Sequence, residues 1–409
     1  MAKVGTKRAI AATLLSNPRL LRLPLNVSLF LLRYMKEFPV VKTGRNLVLH
    51  SHLPPLNSKA YSRFITEHLI RRAEGPSHAQ IGLTNACPQN CEYCYNRDRK
   101  GSLMDTGTIM KVIADLKEMG LVWLGFTGGE PLLNRDILRI AESAGGDCSV
   151  KLFTTGFTLT EGMARDLKSA GVFSVSVSLD HWVEDEHDRI RRCRGAYKAA
   201  LKAIDILKRV GDIHVSVSSV LPIELIRERR VEELLDFLIG LGAHEAWLSE
   251  AKPSGEPFRH PGRVITEEER LYLCDLQDEY NRSANDGGVR GRDGGITVNY
   301  LGHFEGREHF GCNAGNKMVY VDAFGDVSPC VFIPMNFGNV RQASIGDIYR
   351  EMKPRFPTED TCFINKNYGL LSEYGGKAFP IGKADSMRLL DRVVFGPFSD
   401  FNRLHRGKR

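Results

Sequence analysis

Six short β-branched or apolar runs with amphipathic segments between them restrict the fold of this 409-residue chain more than any other feature. The runs lie at 79–84, 121–127, 149–154, 172–179, 213–220 and 244–249. The amphipathic segments lie near 106–119, 134–144, 160–170, 195–210 and 229–241. Gly120, Gly171 and Gly242 fall just after helical runs, where a residue tolerant of positive φ closes a helix. Strands separated by helices pair in parallel through right-handed crossovers. The pattern therefore predicts an α/β fold, a partial (β/α)6 TIM-like barrel. Catalytic groups in such a barrel stand on loops after the C-terminal ends of the strands.

Five regions follow from this reading. Residues 1–76 form a basic, apolar helical arm, with helices expected around Ala9–Ser16 and Pro24–Met35. Residues 77–255 form the barrel core, and 256–295 a connecting helix and linker. Residues 296–365 form a separate small unit with a hairpin around Phe324-Gly325-Asp326, and 366–409 form a tail. The first 80 residues hold thirteen Lys/Arg against three Glu and no Asp, a net +10, so the rest of the chain sums to −3 against the overall +7. A near-neutral body argues against a nucleic-acid module. A basic, Leu-rich arm fits helices packed on the core, and equally contact with an anionic membrane surface.

Nine cysteines, clustered, stand in a chain without a clear signal-peptide cleavage site. Reduced thiols and a cytoplasmic setting, with peripheral membrane contact as an addition, are the expectation, and clustered thiols then point to metal. Immediately after the first strand comes Cys87-Pro88-Gln89-Asn90-Cys91-Glu92-Tyr93-Cys94. Three thiols on one loop can hold an iron–sulfur cluster while leaving one iron open to a ligand. Structural zinc needs four protein ligands, and no second Cys-x2-Cys pair exists here to supply them.

The Cys-x3-Cys-x2-Cys spacing, with Tyr93 before the last cysteine, resembles the signature loop of the radical SAM superfamily. That resemblance implies a [4Fe–4S] cluster on Cys87, Cys91 and Cys94, whose open iron binds S-adenosylmethionine (SAM). After the second strand, Gly128-Gly129-Glu130-Pro131 resembles the segment that holds the SAM amino group. Thr154-Thr155-Gly156 and Ser176-Val177-Ser178-Leu179-Asp180 resemble later contacts to SAM or substrate, which makes Thr155, Ser178, Asp180 and Ser218 candidates. Lys252-Pro253-Ser254-Gly255 resembles the family's closing loop.

The small unit carries Cys312, then Cys330 after a hairpin, then Cys362. It resembles the SPASM/twitch auxiliary-cluster unit, in its shorter form with one auxiliary iron–sulfur cluster on Cys312, Cys330 and Cys362. A fourth ligand is not evident; either one iron is open to substrate, or Cys148, Cys193 or Cys274 supplies it. Cys193, in the loop after the fourth strand, is the candidate for returning hydrogen to a substrate radical.

The resemblance implies a radical SAM enzyme of oxidoreductase or maturase type, served by a low-potential donor of ferredoxin or flavodoxin kind. It would cleave SAM to a 5′-deoxyadenosyl radical and abstract hydrogen, with a peptide or protein as the first substrate expectation. A cofactor or haem precursor, or a lipid-like small molecule, is the alternative. A non-enzymatic iron–sulfur carrier is the reading from another class.

Overall fold

The inner and outer faces of the barrel strands differ in polarity, and the computed structural model, which describes residues 2–254, 264–285, 295–374 and 379–406, shows where each face goes. Three short arm strands, β1 (Ala2–Val4), β2 (Val40–Thr43) and β3 (Asn46–Val48), pair antiparallel. The main sheet then runs through β4 (His78–Thr84), β5 (Trp123–Gly128), β6 (Ser149–Thr154), β7 (Val172–Ser178), β8 (His214–Leu221) and β9 (Glu245–Glu250). All six are parallel and neighbour one another in chain order, which is the half-open barrel expected from the alternation.

Strand residues alternate between two faces. Ile81, Leu83, Leu124, Phe126, Val150, Leu152, Val175, Val177, Val215 and Val217 belong to the large apolar core beneath the helices. The residues between them are polar yet buried, among them Gln80, Lys151, Ser174, Ser176, His214, Ser216 and Glu245. Part of this polar lining is hydrogen-bonded within itself. His214 Nε2 meets Glu245 Oε2 at 2.9 Å, and the Ser176 and Ser216 hydroxyls lie 3.2 Å apart. Helices follow at Thr106–Glu118, Glu161–Ser169, Ala196–Val210 and Val231–Leu241. Asp105 and Thr160 cap the first two by accepting from Thr108 N and Met163 N. Gly120, Gly171 and Gly242 take positive φ at the helix ends.

Residues 296–365 are not a detached unit. Strand β10 (Thr297–Tyr300) adds in parallel to β9, and β11 (Met318–Val321) adds in parallel to β4 at the other edge. Its hairpin partner β12 (Val327–Ser328) ends the sheet, with Gly325 at φ +90° in the turn between them. Both edges of an open barrel carry unpaired backbone groups, and these strands satisfy them. The region beyond 366 also packs inward, because Leu371, Leu389 and Leu390 join the main core.

The arm closes the opposite end of the barrel. Its helices, Thr6–Ser16 and Leu25–Lys36, bury Ala9, Val27 and Tyr34 against Phe310 and Phe401. Residues 50–53 plug the N-terminal ends of the strands. Trp123 Nε1 donates to the Ser51 carbonyl at 2.8 Å, Ser51 N donates to Glu245 at 2.8 Å, and His78 Nε2 lies 2.9 Å from the His52 carbonyl. Of the expected elements, Gly255, most of the 285–295 linker and the last three residues of the basic tail lie outside the described residues.

Candidate active site

A cavity of about 550 Å³ occupies the barrel interior, and both cysteine-bearing regions open on it. Cys87, Cys91 and Cys94 line it from the loop leaving β4, and Cys312 and Cys330 from the far side. Phe153, Trp247, Phe304 and Phe332 supply apolar walls. The loop bearing the first trio is tied to itself and to β11. Asn85 donates to the Arg99 carbonyl at 3.1 Å, and Arg99, fully buried, pairs with Asp322 at 3.1 Å.

Burial pushes the Cys87 thiol up to about 12 and Cys91 up to about 11, and raises Cys94 as well. Thiols so desolvated stay protonated at neutral pH unless a cationic core takes the proton's place. Backbone N–H groups favour the ionised sulfurs, from Gln89 at Cys87 and from Asn96 and Arg97 at Cys94. Ligands of one tetrahedral zinc ion would lie about 3.7 Å apart. Among the described residues, the sulfurs of neither trio all come within 4.8 Å of one another.

Gly128 and Gly129 also line the cavity, and their lack of a side chain serves the backbone beside them. A Cβ on Gly129 would sit 2.2 Å from the Ala86 carbonyl oxygen, and one on Gly128, at φ +116°, 2.4 Å from that of Thr84. Gly129 N instead donates to Thr84 O at 2.7 Å, and Glu130 N to Ala86 O at 2.8 Å. The glycines thus lay the end of β5 against the root of the cysteine loop.

Glu130, expected to face an amino group, is buried behind the cavity. Its carboxylate accepts from Leu132 N at 3.1 Å, Thr154 Oγ1 at 2.8 Å, Thr155 N at 2.6 Å and the Thr155 hydroxyl. With four donors already engaged, it fixes the end of β6 and so presents Thr155 to the cavity. Thr155, Ser178 and Ser218 do line the cavity, the last two side by side in the β7–β8 register.

Asp180 is likewise fully buried and off the cavity wall. It accepts from Arg191 Nε at 2.7 Å and Nη2 at 2.8 Å, from the Tyr93 hydroxyl at 2.5 Å and from Val220 N at 2.9 Å. Arg191 Nη1 turns to Gln89 at 3.3 Å and to the Cys91 sulfur at 3.9 Å. Arg191 was not singled out from the sequence. Its only signal was a charged run, Arg191-Arg192-Cys193-Arg194, which reads as an exposed loop.

Cys193 is not brought to the cavity. It follows Arg192, whose left-handed φ of +47° ends the helix Glu184–Arg191 and turns the chain outward. Cys193 N donates to Asp188 O at 3.0 Å. Cys148 sits near Lys117, Asp147 and Arg63, and Cys274 beside Arg270, so neither joins the second trio.

Of the second trio, Cys312 is buried and Cys330 and Cys362 are half-buried. Cys312 and Cys362 are raised above their usual range by burial, and Cys330 is pushed up to about 12 by the same cause. Glu305, whose charge adds to all three shifts, is a carboxylate common to their surroundings. Lys252 Nζ, also buried, lies 2.8 Å from Glu250, 3.1 Å from Glu305 and 3.4 Å from the Cys362 sulfur. Backbone N–H groups of Ala314 and Phe363 favour the Cys312 thiolate, and those of Val331 and Phe332 the Cys330 thiolate. Buried thiols, inward-pointing amides and a cation to offset charge are the setting an iron–sulfur cluster needs.

Known proteins share both regions. Residues 81–238 match the model of the radical SAM superfamily, and residues 312–365 that of an iron–sulfur cluster-binding domain, SPASM. The chain is 32% identical over 166 residues to a probable GTP 3′,8-cyclase of Methanocella arvoryzae, covering 40% of this chain and 53% of that protein. The match thus spans about half the length of that relative. It is 26% identical over 297 residues to an AdoMet-dependent heme synthase of Methanosarcina barkeri (69% and 84% covered). It is 23% identical over 293 residues to a PqqA peptide cyclase of Granulibacter bethesdensis (68% and 74% covered). Among solved structures, Streptococcus suis SuiB bound to its precursor peptide SuiA aligns with a TM-score of 0.56 at 14% identity, over 79% of this chain and 77% of that one. At that identity the likeness is one of fold. The chain belongs to the radical SAM superfamily and carries a SPASM-type iron–sulfur cluster-binding domain joined to the edge of its barrel.

Proposed function

We propose that this protein is an enzyme that uses reductive cleavage of SAM to abstract hydrogen from a peptide or protein substrate. The observation that carries the reading is the single cavity lined by both cysteine regions. Cys87, Cys91 and Cys94 would hold the SAM-binding cluster, and Cys312, Cys330 and Cys362 the auxiliary one. Bound together, the SAM-binding cluster and SAM supply a carbon radical once a ferredoxin- or flavodoxin-type donor provides an electron. The chain's own part is positioning. Gly128 and Gly129 seat β5 against the cysteine loop, Glu130 presents Thr155, and the paired Ser178 and Ser218 offer hydroxyls to whatever fills the cavity. Phe153, Trp247 and Phe332 exclude water from the space between the two cysteine regions. Glu305 is our assignment for the extra ligand of the auxiliary cluster, since it lies one ammonium away from the Cys362 sulfur.

The peptide class is supported by the PqqA peptide cyclase relative and by the fold shared with peptide-bound SuiB. The test is anaerobic reconstitution with strong reductant and SAM, followed by measurement of 5′-deoxyadenosine. Deuterated peptide and small-molecule fractions are then added separately. Deuterium appearing in 5′-deoxyadenosine from the peptide fraction is the expected result. Transfer from the small-molecule fraction alone would replace the substrate class with the tetrapyrrole-like one that the heme synthase relative supports. No cleavage of SAM by cluster-loaded protein would overturn the activity.

The arm supports a further element, contact with an anionic membrane surface. Leu15, Leu21 and Leu25 are 84%, 80% and 75% exposed, with Arg19 and Arg22 exposed beside them. No helix among the described residues is long and apolar enough to cross a membrane. Co-sedimentation with phosphatidylserine vesicles, but not with phosphatidylcholine vesicles or after Leu15→Glu, Leu21→Glu and Leu25→Glu, is expected. Equal behaviour of wild type and variant would remove the idea.

A further inference from the structure

We propose that Glu37, His303, His309 and Asp278 form a binding site for a zinc-type divalent ion that clamps the N-terminal arm onto the barrel. None of its four residues lines the cavity, and the site is independent of the catalytic reading. Its residues come from four places: Glu37 ends the arm helix Leu25–Lys36, and Asp278 lies on the helix Glu267–Asn285. His303 belongs to the turn of helix after β10, and His309 to the segment that leads to Cys312.

The spacing is that of ligands and not only of hydrogen bonds. Glu37 Oε2 lies 3.0 Å from His309 Nε2 and 3.9 Å from His303 Nε2, and His303 Nε2 lies 3.6 Å from Asp278 Oδ1. The ligand atoms of Glu37, His303 and His309 all fall within 4.8 Å of one another. Zinc bonds of 2.0–2.2 Å to nitrogen and oxygen place neighbouring ligands of a tetrahedron about 3.3–3.6 Å apart. The three separations straddle that edge, whereas only the 3.0 Å contact is an ordinary hydrogen bond. Two imidazoles and the Glu37 carboxylate make the compact group, with the Asp278 carboxylate beside His303, and such a mixed nitrogen and oxygen set is what a zinc-type ion takes.

The chemistry of the groups agrees with the geometry. The His303 ring is buried, with Nε2 turned to both Glu37 and Asp278. Burial and the Glu37 charge raise Asp278, so the two carboxylates repel until a cation stands between them. The cations that face the cluster stay at its rim. Arg33 Nε is 3.8 Å from the other oxygen of Glu37, Arg270 is held by Glu267, and Arg282 acts on Asp278 from its own helix. An entering ion takes the place of the hydrogen bond between His309 Nε2 and Glu37 Oε2. Phe38 and Tyr34 of the arm pack edge-on against His303 and His309, fixing both rings. The ion would therefore pin the arm to the segment that also carries Glu305 and Cys312.

The test uses the full chain with both clusters loaded anaerobically, incubated with zinc and passed over a chelating resin. Metal is counted by mass spectrometry and its ligands are read by zinc K-edge absorption. The expected result is one zinc per chain with a nitrogen/oxygen shell near 2.0 Å. The doubly substituted His303→Gln, His309→Gln chain and the separate Glu37→Gln chain should lose that zinc while keeping their iron. A sulfur shell near 2.3 Å would place the zinc on cysteines and overturn the proposal. So would no retained zinc in the wild-type chain, or equal zinc in folded variants. The absorption spectrum of the wild-type protein decides the matter even if a variant fails to fold.

Discussion

Arg191 grips Asp180 through two nitrogens, at 2.7 and 2.8 Å, and points a third toward the sulfur of Cys91. Asp180 also holds the hydroxyl of Tyr93, the aromatic residue inside the cysteine loop. The loop is thus braced by a buried ion pair of which Arg191 reaches the cavity wall while Asp180 stands behind it. Both residues act through the cysteines they position.

Asp180→Asn leaves Arg191 as an uncompensated buried charge. Removing one partner of a buried pair costs about 3–5 kcal/mol. Denaturant unfolding should show a loss of that order, with iron falling selectively at the first trio. An unchanged midpoint together with unchanged iron would show that the pair is dispensable.

Gly129→Ala places a methyl group 2.2 Å from a backbone oxygen, which must move. The oxygen belongs to Ala86, one residue before Cys87, so the first cluster should be lost while the auxiliary one stays. Iron and sulfide counts on the variant check this, with about half the wild-type iron expected because each [4Fe–4S] site holds the same complement.

Glu305→Gln removes a charged donor from the surroundings of Cys312, Cys330 and Cys362. In a chain whose first trio is replaced by alanine, the reduced auxiliary cluster should show altered paramagnetic resonance and lower iron occupancy. A spectrum identical to that of the parent would exclude Glu305 as a ligand.

Burial lowers His50 and His78 to about 4 each. Below about 6.5 the unfolded chain takes up protons that these folded imidazoles refuse, so stability falls with falling pH and levels off near the folded value. Relative to wild type, His50→Asn should gain about 2 kcal/mol between pH 7.5 and 5. A difference in unfolding free energy that does not vary with pH would contradict this.

Legibility varied with how local the signal was. Strand and helix positions within residues 77–250 followed from periodicity, because each barrel strand alternates apolar outer and polar inner residues. The polarity of Ser174, Ser176, Ser178, Ser216 and Ser218 was visible as letters, yet only the register shows that they share one interior face. The grouping of Cys87, Cys91 and Cys94 was legible because their spacing along the chain is itself chemical information, whereas Cys312, Cys330 and Cys362 were grouped by resemblance. The roles of Glu130 and Asp180 were not. A carboxylate at a strand end reads the same whether it faces a ligand or the backbone behind it, and only its partners distinguish the two.

The sequence by itself determined the order of strands and the loop that would carry the first cysteines, since these depend on contacts between residues near in the chain. The tertiary structure alone decided that β10 and β11 extend the barrel at its two edges, that the arm plugs its base, and that Arg191, Glu305, Lys252 and the Glu37–His303–His309 group stand where they do. Those relations join residues from opposite parts of the chain. They arise from the burial of open sheet edges and of charge, which no local pattern records.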